Sequence, residues 1–310
     1  MHTRIEHGWV GSGRLDTLAQ HPKVRAALSL VANRGFVEPP FTPVAAGGNG
    51  LVFRAAASGG GSVAVKVPRY GAWELGREGV LEHNIVRESQ VLAAIHCEYL
   101  PLLIDSHTDG KYLCRTYFDG VLLEELVGSQ LMLLDRRRHL VSALLQTARG
   151  LFGAFHESPY GCYVIRDFKP RNLVVRDDSG ALCLIDAGSV RSEVNMLSKT
   201  RRTHRVGSGR WCYWAPEQLL EDRPTLSRRV DYFALGATMF FVLCGYTPYR
   251  NSASAEALMG EYLTEYDGLS GRVRAQAERA EIPMQVAEFI TACLNPFACE
   301  RPTGIPEMCE

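Results

Sequence analysis

Between Val164 and Val175 the sequence reads Val-Ile-Arg-Asp-Phe-Lys-Pro-Arg-Asn-Leu-Val-Val, which places Asp167, Lys169 and Asn172 in one short loop between apolar flanks. A carboxylate, an ammonium and an amide so close together suit the transfer of a charged phosphoryl group. The carboxylate can orient or deprotonate an attacking hydroxyl, the ammonium can neutralise the moving phosphate, and the amide oxygen can hold a hard cation such as Mg²⁺. A second group lies upstream. Ala45-Ala46-Gly47-Gly48-Asn49-Gly50-Leu51-Val52-Phe53 carries glycines that let backbone amides approach phosphate oxygens, where a side chain would block them. The alternating strand Val63-Ala64-Val65-Lys66 follows and ends on a lysine that a glycine loop turns into a phosphate-binding candidate. No Gly-Lys-Ser/Thr follows the glycines, so this is not the Walker type of phosphate loop.

The elements that must position these residues can be read in outline. At 310 residues, 46% apolar and 22% charged, the chain can bury a substantial core in one large domain or two lobes. The 34 basic and 34 acidic residues cancel, which argues against a general nucleic-acid or membrane-surface binder. Nine scattered cysteines without a Cys-x-x-Cys read as free thiols of a reducing compartment, so the expected location is cytoplasmic, with delivery into another cell left open. Met1 to Gly11 has no apolar core of a signal peptide, and the longest apolar run, near Phe233 to Cys244, is too short to span a bilayer. Residues 1–14 read as a flexible polar arm. One helix is expected over Pro22–Asn33, with Val24, Leu28 and Val31 on a face that packs on the next lobe and Gly35 as its stop. Pro39, Pro40 and Pro43 mark a boundary. Two antiparallel strands follow over 44–67, joined through Ser58-Gly59-Gly60-Gly61. Helices are expected over Asn84–Ile95, burying Val86, Val91, Leu92 and Ile95, and over Leu140–His156.

The loop Ile165-Arg166-Asp167-Phe168-Lys169-Pro170-Arg171-Asn172 resembles the catalytic loop of the protein kinases, His-Arg-Asp-Leu-Lys-Pro-x-Asn. Further matches follow in the family's order. Val63-Ala64-Val65-Lys66 is similar to the Val-Ala-Ile-Lys strand, Asp186-Ala187-Gly188 to Asp-Phe-Gly, and Ala215-Pro216-Glu217 to Ala-Pro-Glu. Asp231 to Gly236 resembles the start of the central helix, Gly245-Tyr246-Thr247-Pro248-Tyr249 its end, and Arg301 the arginine that pairs with Glu217. The resemblance covers about 44–303, leaving the family's final helix short or truncated. It implies an α+β, two-lobed kinase fold: a small antiparallel β-rich N-lobe with one main helix over about 41–117, and a larger helical C-lobe over about 118–310. Residues 1–40 would be an extension with one short helix.

The resemblance further implies roles. Lys66, kept in place by Glu88 rather than by its rival Glu82, would position the nucleotide. Ala45, Ala46, Gly47, Gly48, Asn49, Gly50, Val52 and Ala64 would surround it, and backbone near Thr116 and Tyr117 would meet the adenine. Asn172 and Asp186 would hold Mg²⁺, with Mn²⁺ as an alternative. Lys169, two residues past Asp167, resembles the serine/threonine group. The expected function is ATP-dependent phosphorylation of protein hydroxyls, including autophosphorylation of a basic activation segment at 190–210, where Ser198, Thr200, Thr203 and Ser208 lie. No particular protein substrate or regulator is indicated. Departures from the family pattern keep a pseudokinase scaffold as the first alternative: Ala45 for the first loop glycine, Ile165 for the histidine, Ala187 for the phenylalanine. Arg115 falls where the family has a mid-sized residue behind the adenine, so either the register slips by one or the back pocket is unusual. A small-molecule phosphotransferase is the second alternative, disfavoured by the Ala-Pro-Glu segment and Arg301.

Overall fold

The computed structural model describes residues 2–5, 8–47, 50–70, 78–128, 133–159, 161–192, 211–219, 227–249 and 255–307. The chain divides into two compact units, one of Met1–His96 with Pro101–Phe118 and one of Cys97–Leu100 with Asp119–Glu310.

The first unit contains β1 (His2–Ile5), β2 (Gly8–Gly11), α1 (Ser12–Ala19), α2 (Pro22–Ala32), β3 (Val37–Ala46), β4 (Leu51–Ala57), β5 (Ser62–Val67), α3 (Glu78–Ala94), β6 (Leu103–Ser106) and β7 (Leu113–Thr116). Its sheet runs β2-β1-β3-β4-β5-β7-β6 and is antiparallel except where β1 joins β3. The β4–β5 turn falls at Ser58–Gly61, as the glycines suggest: Gly60 and Gly61 take φ of 92° and 85°, a left-handed backbone that other residues resist.

Register sorts the strand residues onto two faces, because side chains alternate. Leu51, Phe53, Ala55, Val63, Val65 and Val67 enter one buried cluster with Leu15, Val24, Ala27 and Val31 of the N-terminal helices. Val52 pairs with Lys66 and Ala64 with Arg115 on the opposite face. The expected apolar stripe of α2 therefore does pack on the following strands, and burial of each valine is worth about 2 kcal/mol. Pro22 opens α2, and His21 Nδ1 caps it by accepting from the Lys23 N–H at 3.3 Å.

Four expectations need correction. Residues 1–14 are not a flexible arm: they form β1, β2 and the start of α1, which is anchored by buried Leu15. Residues 1–40 thus hold two helices rather than one. Pro39, Pro40 and Pro43 lie inside β3 instead of ending a segment. Its pairing with β4 shifts register between Glu38 and Thr42 and again between Pro43 and Ala45, which accommodates residues without an N–H donor. Finally, α3 begins at Glu78 rather than 84, and Ile85 takes the buried place expected for Val86, which is half-buried.

The second unit contains β8 (Gly120–Leu122), α4 (Leu123–Gly128), α5 (Leu134–His156), β9 (Tyr163–Val164), β10 (Leu173–Arg176), β11 (Leu182–Leu184), β12 (Arg191–Ser192), α6 (Pro216–Leu219), α7 (Arg229–Cys244), α8 (Ala255–Arg279) and α9 (Met284–Cys293). Strands order as β11-β10-β8 and β12-β9. Helix α7 is apolar nearly all round and buried accordingly, with Val230, Phe233, Leu235, Met239, Phe240 and Leu243 sealed from solvent. Gly236 admits α9: a Cβ there would sit 2.6 Å from Cys293 Cβ. Gly245, at φ 79°, ends α7 by donating its N–H to Phe241 O. Among the described residues no helix is long and apolar enough to cross a membrane, and every described cysteine is free.

Candidate active site

The sequence-predicted residues fall into two sets, one in each unit. In the first, Lys66 Nζ lies 2.6 Å from Glu88 Oε2. Both are almost sealed from solvent, at 4% and 1% exposure, so the pair escapes the screening that weakens surface ion pairs. Glu82 is occupied elsewhere, accepting from Tyr70 Oη at 3.2 Å and Lys111 Nζ at 2.5 Å. Helix phase explains the choice: Leu81, Ile85, Glu88 and Leu92 share the buried side of α3, while Glu82 is one step off it.

The predicted glycine loop begins inside a strand. Ala45 and Ala46 belong to β3, where they pair with Val52 and Leu51, and Ala46 is buried in the cluster of the N-terminal helices. Gly47 donates its N–H to Gly50 O at 2.8 Å, closing the turn, while Gly48 and Asn49 lie outside the described residues. Gly50 is required by crowding: a Cβ would stand 2.6 Å from Val67 O and 3.3 Å from Lys66 Cγ. Val52 and Ala64 flank Lys66 on its own sheet face. Thr116 donates its N–H to Leu102 O at 3.0 Å and Tyr117 its N–H to Ser62 O at 3.1 Å, so both amides serve strand pairing. Arg115, just before them, is buried with Nη1 3.5 Å from Glu88 Oε1.

In the second unit, Lys169 Nζ donates to both oxygens of Asp167 at 2.7 and 2.8 Å. Asn172 Nδ2 donates to Asp167 O at 2.9 Å and to Oδ2 at 3.0 Å. Asn172 ends a 3₁₀ turn over Pro170–Asn172 that leads straight into β10. The hairpin β10–β11 pairs Leu173 with Leu184, and Ile185 donates its N–H to Asn172 O at 2.8 Å. That register brings Asp186 to the same end as Asn172, and Asp186 Oδ1 accepts from the Gly188 N–H at 2.9 Å.

Asp231, the first residue of the Asp-x-x-x-x-Gly match, holds this loop from α7. Its Oδ2 accepts from the Ile165 N–H at 2.9 Å and lies 2.9 Å from His156 Nε2, and its Oδ1 accepts from the Arg166 N–H at 2.7 Å. Arg166 sits at φ 68°, the left-handed region, which turns two successive amides toward one carboxylate. Gln218 adds a tie, donating from Nε2 to Arg166 O at 3.2 Å and accepting from the Ala215 N–H at 2.9 Å. Arg301 grips Glu217 with two parallel bonds of 2.7 and 2.9 Å, as expected. Ile165 and Ala187 are buried at 1% and 2% exposure.

Sequence reasoning missed His156, Gln218 and Arg115 as partners. His156 and Gln218 belong to no short motif, and their partners lie 75 and 52 residues away. The basic segment 193–210, with Ser198, Thr200, Thr203 and Ser208, lies outside the described residues.

A two-unit α+β chain, with a lysine–glutamate pair on its sheet and an aspartate–lysine–asparagine loop among its helices, has the architecture of a phosphoryl-transfer domain of the kinase type. Residues 42–310 match the protein kinase domain family, and the chain belongs to it. It is 29% identical over 217 residues to the serine/threonine-protein kinase AfsK of Streptomyces griseus, across 69% of this chain and 25% of that protein. It is 28% identical over 212 residues to the serine/threonine-protein kinase PknL of Mycobacterium tuberculosis, across 66% of this chain and 47% of that protein. The match thus spans a quarter to about half the length of these relatives. The solved Rad53 kinase domain superposes with a TM-score of 0.56 at 18% identity, over 81% of this chain and 82% of that one, which supports the fold.

Proposed function

We propose that this chain is an ATP-dependent serine/threonine protein kinase domain. The observation that carries the reading is the Asp167–Lys169–Asn172 cluster, with Lys169 on both carboxylate oxygens and Asn172 braced against the same aspartate. Asp167 takes or orients the proton of a substrate serine or threonine hydroxyl, and that oxygen attacks the γ-phosphorus as the bond to ADP breaks. Lys169 offsets charge on the phosphoryl group in transfer. Lys66, held by Glu88, positions the nucleotide beside the Gly47–Gly50 turn, with backbone near Thr116 and Tyr117 toward the adenine. The donor set suits a hard cation: Asn172 Nδ2 is committed to Asp167, which leaves the amide oxygen, and Asp186 adds a carboxylate. Bound Mg²⁺, or Mn²⁺, would neutralise phosphate charge there.

The names of the relatives and the pairing of Glu217 with Arg301 favour a peptide substrate over a small molecule. Ala45, Ile165 and Ala187 remove no member of the polar set, so a scaffold without catalysis gains no support from them. The kinase domain is taken as 41–310. Residues 1–40 are an extension that adds two strands to the sheet edge and two helices, whose Leu15, Val24, Ala27 and Val31 pack on the sheet face opposite Lys66. The free, buried cysteines fit a reducing compartment.

The test is phosphate transfer from labelled Mg-ATP to the protein itself and to a basic peptide, with the modified hydroxyls mapped. Asp167→Asn should lower transfer at least about a thousandfold while nucleotide still binds. Nucleotide binding without transfer under varied metals would favour the scaffold. Transfer to a sugar or antibiotic alone would replace the substrate class.

A further inference from the structure

Arg115 stands across from Ala64, two residues along β5 from Lys66, so alternation brings Lys66 and Arg115 out on one face of the sheet. Helix α3 delivers Glu88 to that face. One carboxylate is then divided between two buried cations, with Lys66 Nζ 2.6 Å from Oε2 and Arg115 Nη1 3.5 Å from Oε1. Exposure of the three is 4%, 1% and 5% for Lys66, Glu88 and Arg115. Among the described residues Glu88 Oε1 makes no hydrogen bond, so the guanidinium is its charge partner.

A guanidinium at this depth loses its hydration, and an apolar side chain of similar bulk would fill the space at lower cost. The return is orientation. Attraction over this distance, away from solvent, draws Oε1 toward β7 and turns Oε2 toward Lys66. Lysine alone would leave the carboxylate free to rotate about its terminal bond, a soft torsion.

We infer that Arg115 is a positioning residue for the phosphoryl-transfer reaction: it orients Glu88 so that Lys66 is held ready for nucleotide, keeping α3 docked on the sheet before nucleotide arrives. The inference rests on the reading of Lys66 as the nucleotide-positioning lysine. Arg115 acts through Glu88, not on the substrate.

The experiment is a double-mutant cycle on the full chain, read as KM for ATP and kcat. Arg115→Met should raise KM about tenfold, with a smaller change in kcat, and Arg115→Gln, which keeps polarity without charge, should match it. Arg115→Lys should recover most of the loss. In a Glu88→Gln background Arg115→Met should add nothing. Without nucleotide, amide exchange across Ile85–Leu92 should speed up in Arg115→Met and Arg115→Gln while the global melting transition stays cooperative. An unchanged KM, or a penalty that adds in full to that of Glu88→Gln, would overturn the proposal. Lys66→Met separates the two readings: if it abolishes transfer while the Arg115 variants are neutral, only the Arg115 role falls, whereas if it leaves transfer intact, the assignment of Lys66 falls with it.

Discussion

Two buried carboxylates, Glu88 and Asp231, are used in opposite ways. Asp231 spends both oxygens within its unit, on the amides of Ile165 and Arg166 and on His156. Its partners are mostly backbone, so what it fixes is the path of the chain into Asp167. Among the described residues Glu88 meets the ends of two long side chains, Lys66 and Arg115, and its Oε1 makes no hydrogen bond. What it fixes is the direction of a charge. The difference separates a brace from a register: losing the brace should unfold the loop, and losing the register should leave the fold standing and blunt the chemistry.

That contrast can be broken outright by Asp231→Ala. Two backbone amides and a buried histidine would lose their acceptor, which should cost on the order of 3 kcal/mol of stability as well as activity, read as a fall in the urea midpoint. A stable Asp231→Ala protein with a normal midpoint would show that the loop does not depend on it. Glu88→Gln sharpens the other side. It is nearly isosteric but takes the anion from two buried cations, so stability read from the urea midpoint should fall by a few kcal/mol with unfolding still cooperative, while transfer falls about a hundredfold. Loss of the cooperative unfolding transition itself would make Glu88 a brace too. The smallest effect concerns thiols near these regions. Burial pushes Cys183 and Cys212 up to about 11 and Cys244 up to about 12, which holds them as unreactive thiols, while Cys299 is exposed. Among these four, alkylation at neutral pH should mark Cys299 first, and the others only after denaturant is added; mass mapping decides it. Early labelling of Cys212, which is buried within the Trp211–Trp214 segment, would mean that segment opens readily.

Legibility followed distance along the chain. Asp167, Lys169 and Asn172 sit within six residues, so a loop that exposes one exposes all, and the hydrogen bonds among them follow from proximity. Lys66 was equally plain because an alternating strand dictates which side chains share its face. The predicted glycine loop begins inside β3, since small residues tolerate a turn and a strand alike, and only pairing with β4 shows that Ala45 and Ala46 lie in the strand. The N-terminal segment was misread for a related reason. Short glycine-containing runs carry little periodicity, and their strands exist through pairing with β3 and burial of Leu15 against the sheet.

By itself the sequence determined which polar groups meet inside a single turn or along a single strand, because covalent spacing and backbone geometry leave few other arrangements. It also determined the family, through motifs in fixed order from 42 to 310. Tertiary structure alone decided that Arg115 shares the Glu88 carboxylate with Lys66, and that Asp231 with His156 underpins the loop. Those contacts join segments tens of residues apart. They form only when helix phase and sheet register bury both partners at one place, where an ionised group left without its counterpart would be too costly to keep.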